Sequence, residues 1–211
     1  HFDTENSIFE ICGVSHFQQG YCNKELITLL SNCGIEPSCF QEILSKMHND
    51  LDVALHSQEA ALNMLNTYGD EQAKPFIALL EAGLSHEDRF MKRSLFSFAS
   101  SKLQQLKTKL RIRIPDSAYV YGVLDEFAVL KEDECFLQIS GPSGERRVVE
   151  GYVIILKNPA LHRGDIRILR AVNKPELRHL CDVLAFSQMG VRPIPDKCSG
   201  SDLDGDAYTV I

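Results

Sequence analysis

No apolar run in these 211 residues approaches the roughly 18–20 that a helix needs to cross a bilayer, which argues against a membrane span. The opening residues show neither a basic n-region nor an apolar h-region. The chain also begins at His1 without an initiator Met and stops at Ile211 inside an apolar run, so it reads as a piece of a longer protein. The missing leader therefore says little about targeting. No Cys-x-x-Cys pair occurs among the seven cysteines, at 12, 22, 33, 39, 135, 181 and 198. Their odd number and scatter exclude a disulfide framework and predict reduced packing thiols in an intracellular protein, nucleus and cytoplasm remaining equally open. Cys33, Cys39 and His48 match no common zinc spacing. Internal repeats and low-complexity segments are missing too.

Acidic residues are absent between Arg89 and Ile114, where Arg89, Lys92, Arg93, Lys102, Lys107, Lys109, Arg111 and Arg113 stand. The net charge of −7 hides this asymmetry: residues 1–88 hold 14 acidic and 3 basic side chains, residues 89–211 hold 15 and 19. A phosphate backbone could follow the basic stretch, and a solvated helix face would look the same.

What is present divides at Pro115. Hydrophobic content of 44% and charged content of 24% suit a folded domain. The spacing predicts helices from Asn23 to Gly34, from Pro37 through Met47, over 51–65, from Glu71 to Ala82, and from a Ser85 cap to about Leu110. Phe90 and Phe98 in the last of these are expected in the core rather than as base-stacking platforms. Beyond Pro115, β-rich runs at 119–124, 135–139, 152–156, 166–169, 182–186 and 207–211 predict six strands in a sandwich or barrel, with a turn at 141–144. The expected class is α+β: a mostly helical region, 1–114, preceding a β-rich region, 115–211.

The chemistry concentrates in Ser199-Gly200-Ser201-Asp202-Leu203-Asp204-Gly205-Asp206, which runs into the apolar Ala207–Ile211. Alternate residues of an extended chain share a side, so Asp202, Asp204 and Asp206 face one way. A straight strand would hold the outer two about 13 Å apart, so sharing an ion requires a curl, and Gly205 permits one. Three converging carboxylates either rise in pKa or are neutralised by a divalent cation, here Mg²⁺ or Mn²⁺. Two such ions would serve in-line phosphoryl displacement, hence nucleotidyl transfer. The competing readings are an EF-hand, a haloacid-dehalogenase-like phosphatase with an Asp nucleophile, and a solvated acidic turn. An EF-hand places its glycine after the third acidic position, and the phosphatase motif follows a buried strand and ends in Thr; neither matches here.

A second polar cluster follows the run at 152–156: Lys157-Asn158-Pro159-Ala160-Leu161-His162-Arg163-Gly164-Asp165-Ile166-Arg167. Lys157, Arg163 and Arg167 could meet phosphates and Asn158 a ribose or base, or the loop could be a turn with a surface Asp165–Arg167 pair.

The order Gly122-Val123-Leu124-Asp125, Val153–Pro159, Leu161-His162, Gly164–Arg167, Ala171-Val172, Gly190-Val191-Arg192-Pro193 and Cys198–Asp206 resembles the eukaryotic RNA-dependent RNA polymerases of RNA silencing. The resemblance spans most of 111–211 and implies a double-psi β-barrel. It implies Asp202, Asp204 and Asp206 as the metal-binding catalytic triad. It implies Lys157, Asn158, His162 and Arg167 near nucleotide or template, with Arg192 as a further phosphate contact. Arg163 stands where many relatives have Pro. The implied partners are single-stranded RNA template, nucleoside triphosphates, double-stranded RNA product and RNA-silencing proteins. A second barrel upstream and a region downstream complete the family's enzymes, so this stretch alone is expected to polymerise nothing. The alternative is a polymerase-like module that binds RNA or a partner without catalysis.

Overall fold

A computed structural model of the chain describes residues 13–69, 71–141 and 144–211. Pro142 and Ser143 of the expected turn, and Cys12, lie outside the described residues. Helices come first: α1 (Lys24–Asn32), α2 (Pro37–Val53), α3 (Gln58–Tyr68), α4 (Lys74–Glu81) and α5 (Arg89–Lys109). The strands are β1 (Tyr21–Cys22), β2 (Ile112–Arg113), β3 (Ala118–Leu124), β4 (Glu134–Ser140), β5 (Arg146–Val148), β6 (Gly151–Lys157), β7 (Arg167–Ala171), β8 (Val183–Phe186) and β9 (Ala207–Val210).

Local chemistry sets the helix ends. Asn23 accepts the Leu26 amide at 2.8 Å to cap α1, and Pro37, whose ring presets a helical φ, opens α2. The helix expected over 51–65 is in fact two. The chain turns at 54–57, where Ser57 caps α3, yet Leu51, Ala54, Ala61, Met64 and Leu65 are buried on both sides of the break. Likewise α5 starts at Asp88 rather than Ser85. One Asp88 carboxylate oxygen accepts both the Phe90 and Met91 amides, satisfying two orphan donors at the positive end of the helix dipole. The inward stripe of α5 is Met91, Leu95, Ala99, Lys102 and Leu106. Phe90, expected inside, falls off that stripe and is 58% exposed.

The 7-stranded sheet runs β5-β4-β7-β6-β9-β3-β8, and β8 pairs back onto β4. Six strands thus close into a barrel with β5 added at one edge, and the arrangement fits a double-psi barrel. The closed six are those expected from the sequence. β5, only three residues and two of them arginine, is too short and polar for alternation to reveal it. The pairs β3–β8 and β4–β7 are parallel, and the other pairings in this sheet are antiparallel. Inside the barrel pack Val120, Leu137, Ile155, Leu169, Leu184, Phe186, Tyr208 and Val210. Each large apolar side chain buried this way contributes about 1.5–3 kcal/mol of transfer free energy.

The helical half has its own core of Leu26, Leu51, Leu65, Leu80, Met91, Leu95 and Leu106, and Leu156 and Ala160 belong to it. On β6, then, Ile155 points into the barrel while Leu156 points out into the helices, and both are fully buried. Burial on both faces explains why 152–156 reads as an unbroken apolar run. It also makes β6 a rigid support for Lys157 at its end. Among the described residues no helix is long and apolar enough to cross a membrane.

Candidate active site

β9 lies between β3 and β6, with Tyr121 opposite Ala207 and Lys157 opposite Tyr208. The Gly122 amide donates to the Asp206 carbonyl at 3.0 Å, fixing Asp206 at the rim of the barrel. Upstream the chain curls as the three-carboxylate spacing requires. Gly205 takes φ 117, and Leu203, which has no glycine's freedom, takes φ 65. The Leu203 side chain packs against the barrel core, which offsets a left-handed backbone costing about 1–2 kcal/mol.

The curl brings one oxygen from each of Asp202, Asp204 and Asp206 within 4.8 Å of one another. Asp202 and Asp204 are exposed, while Asp206 is largely covered. The Lys157 ammonium stands 2.5 Å from Asp206 Oδ1. Asp206 Oδ2 accepts from Ser201 Oγ and, at 3.2 Å, from the Asp202 amide. Burial pushes the Asp206 carboxyl upward, and the bonds from Lys157, Ser201 and Asp202 outweigh it, so the group sits below the usual range. Asp204 is displaced upward, chiefly by its hydrogen bond with Asp202 and then by that residue's charge. One anchored and two exposed carboxylates, all oxygen donors with open positions, suit a hard divalent cation.

The surroundings also weigh the rival readings. The triad runs into a strand rather than a helix, unlike an EF-hand, and it is preceded by a loop rather than by the buried strand of a dehalogenase-like site. Asp206 is held by named partners, unlike a solvated turn.

The second cluster lies beside the first. Asn158–Pro159 is a cis peptide, and Ser199 Oγ donates to the Pro159 carbonyl at 3.0 Å, stapling the two loops together. The Asn158 Oδ1 atom is buried and has no hydrogen-bond partner among the described residues. His162 and Asp165 close the turn that follows: His162 Nδ1 accepts the Gly164 amide at 3.0 Å, and Asp165 accepts the amides of Leu161 and His162. The Arg167 guanidinium donates to the Gly164 carbonyl and, at 3.4 Å, to that of Lys197 in the approach to the triad. Arg192 pairs with Asp196 on the surface. The structure therefore gathers Lys157 and the three Asp at one point, puts Asn158 next to Lys157 in the chain, and shows His162 and Arg167 bracing the loops.

Sequence reasoning missed Ser201 and Tyr208, although their hydroxyls sit within or beside the acidic motif. Of the basic stretch, Lys102 is 9% exposed with its ammonium 5.0 Å from the Phe98 ring centroid. Arg111 stacks on Tyr21, and Arg113 donates to the Gln19 carbonyl. Arg89, Lys92, Arg93, Lys107 and Lys109 are exposed. The cysteines among the described residues are free, and burial lifts Cys135 to about 12. A cavity of about 370 Å³ lies elsewhere, between α2, α3 and β2, lined by Met47, Asp50, Met64, Tyr68 and Arg113 among others.

Fold and site together define a closed β-barrel with a cluster of three carboxylates on its rim, arranged so that it could hold a cation. Comparison with known proteins identifies its kin. The family model described as RNA dependent RNA polymerase matches residues 1–211, and the chain belongs to that family. It is 40% identical to RNA-dependent RNA polymerase 1 of Arabidopsis thaliana over 215 residues, covering 99% of this chain and 19% of the relative. It is 34% identical to RNA-dependent RNA polymerase 1 of Schizosaccharomyces pombe over 232 residues, covering 100% of this chain and 19% of that one. Among solved structures it superposes on RNA dependent RNA polymerase QDE-1 from Thielavia terrestris with TM-score 0.68 at 22% identity, over 93% of this chain and 25% of the other. The chain spans about one fifth of the length of these curated relatives.

Proposed function

We propose that this chain is the catalytic-barrel region of a polymerase that copies single-stranded RNA into double-stranded RNA from nucleoside triphosphates, supplying RNA silencing. Within it, 1–114 serves as the helical support and 115–211 as the catalytic part. The observation that carries the reading is the convergence of Asp202, Asp204 and Asp206 beside Lys157 in a member of this family. Mg²⁺ or Mn²⁺ held by the three carboxylates would neutralise charge at the reacting phosphate and lower the pKa of the attacking hydroxyl.

The chain's own residues do the rest by position. Asp206, fixed at the strand end, orients the site, while the exposed Asp202 and Asp204 close around the cation. Lys157 has three N–H donors, one directed at Asp206, and the others are available to a phosphate oxygen. Asn158, next in the chain to Lys157, lies in the loop that would meet a ribose or base. His162 and Arg167 keep that loop in shape, and Arg192 would meet a phosphate by exchanging its Asp196 partner for it. Positioning and charge neutralisation are the main sources of rate in such transfers. The scattered free thiols support an intracellular setting.

The test is divalent-cation-dependent incorporation of labelled ribonucleotide on a single-stranded RNA template by the full-length protein, wild type beside Asp206→Ala. A fall of at least about 10²-fold in the variant, with its fold retained, is expected. Equal incorporation by both removes Asp206 from the mechanism, and none by either favours a polymerase-like module that binds RNA without catalysis.

A further inference from the structure

Tyr208 is fully buried in β9, two residues beyond Asp206, which leads into that strand. Its ring meets Phe186 edge-on with centroids 4.8 Å apart. It also fills the space left by Gly122, where an added Cβ would lie 2.4 Å from Tyr208 Cε2. The ring is thereby locked. A buried hydroxyl needs a partner, and that of Tyr208 meets Ser201 Oγ. Ser201, itself buried, also meets Asp206 Oδ2.

The directions of these bonds are fixed by elementary bookkeeping of protons. An ionised carboxylate only accepts, so Ser201 donates its single proton to Asp206 and must accept from Tyr208. The chain Tyr208 O–H to Ser201 O–H to Asp206 Oδ2 thus runs one way, from the core to the rim. A phenylalanine at 208 would fill the core equally well, so packing does not account for the hydroxyl.

We propose that Tyr208, acting through Ser201, is a positioning residue that sets the orientation of the Asp206 carboxylate at the cation site. Oδ2 is held from the core side, which turns Oδ1 toward Lys157 and the site. Without the tyrosine hydroxyl, Ser201 Oγ loses the donor that fixes its rotamer, its bond to Asp206 loosens, and Oδ2 is left to the longer bond from the Asp202 amide. This inference rests on the reading of the triad as a cation site.

The experiment is titration of the full-length protein with Mn²⁺ alone, following free ion by electron paramagnetic resonance. Wild type is compared with Tyr208→Phe, Ser201→Ala, the double variant, Ser201→Thr and Asp204→Ala. Each hydroxyl deletion is expected to weaken the triad-dependent binding about 10- to 100-fold, as removal of a ligand's hydrogen-bond support does. The double variant should be no worse than either single one, because both cut the same chain. Ser201→Thr should stay near wild type, and unfolding temperatures should change little for Tyr208→Phe. Wild-type affinity in Tyr208→Phe, or losses that add in the double variant, would overturn the positioning role alone. Equal binding by wild type and Asp204→Ala would overturn the cation site and this inference with it.

Discussion

Lys157 Nζ lies 2.5 Å from Asp206 Oδ1, joining the last residue of β6 to the residue that leads into β9. The side chains are 21% and 13% exposed, so the pair is neither a surface contact nor a dry one. Removing one partner should cost about 1–3 kcal/mol, between the values for exposed and fully buried pairs. Lys157→Met and Asp206→Asn should each lower the unfolding temperature of the metal-free protein, and the double variant should recover part of the loss. Strictly additive losses would mean that the two groups do not interact.

The two displaced carboxylates give opposite pH signatures. Asp206 sits below its ordinary value, so the stability it contributes is complete above about pH 3.9 and fades as pH falls through the lower folded value. Asp204 sits above its ordinary value, so its ionisation opposes folding at neutral pH and that penalty disappears on acidification. With chelator present, Asp204→Asn should melt higher than wild type at pH 7, the gain shrinking as pH falls through the raised carboxylate range. Asp206→Asn should melt lower at pH 7, with its deficit persisting to more acid pH. Melting curves carried from pH 7 to well below about pH 3.9 decide both: an Asp204→Asn gain that does not shrink on acidification, or an Asp206→Asn deficit that is already gone above that pH, would refute the assignment.

Gly122 is where β3 makes room for the site. A methyl group there would stand 2.4 Å from Tyr208 Cε2 and 2.8 Å from Leu203 Cδ2. Gly122→Ala should therefore destabilise by about 1–3 kcal/mol, the range for overpacking. It should also weaken Mn²⁺ binding, since both the tyrosine and the curl would shift. Unchanged melting and binding would show that the core yields there.

The exposed cations of α5 predict a salt signature. Replacing Lys92, Arg93 and Lys107 by Gln should reduce the slope of log affinity against log salt for single-stranded RNA by about 0.7 for each phosphate that is no longer neutralised. The buried member of this series behaves differently: Lys102→Gln should lower stability instead, because Lys102 lies over the Phe98 ring. An unaltered slope in the triple variant would mark the stripe as a solvated face.

The sequence by itself determined the six barrel strands and the helical half, because period-2 and period-3.6 apolar patterns record which side of each element is buried. It also singled out the three Asp at alternate positions around Gly205, whose oxygens the fold brings within 4.8 Å of one another. Tertiary structure decided what no local pattern encodes. The helix read over 51–65 divides at 54–57, where Ser57 captures the Ala60 amide, and α5 begins at Asp88, because competing caps are settled by geometry. Closure of β8 onto β4 depends on partners about fifty residues apart. The equally long-range pairing of β6 with β9 set Lys157 opposite Tyr208, so that a strand-end lysine and a serine backed by a core tyrosine meet at Asp206. Side-chain chemistry was legible in the chain; which groups share one carboxylate was fixed only when distant strands came into register.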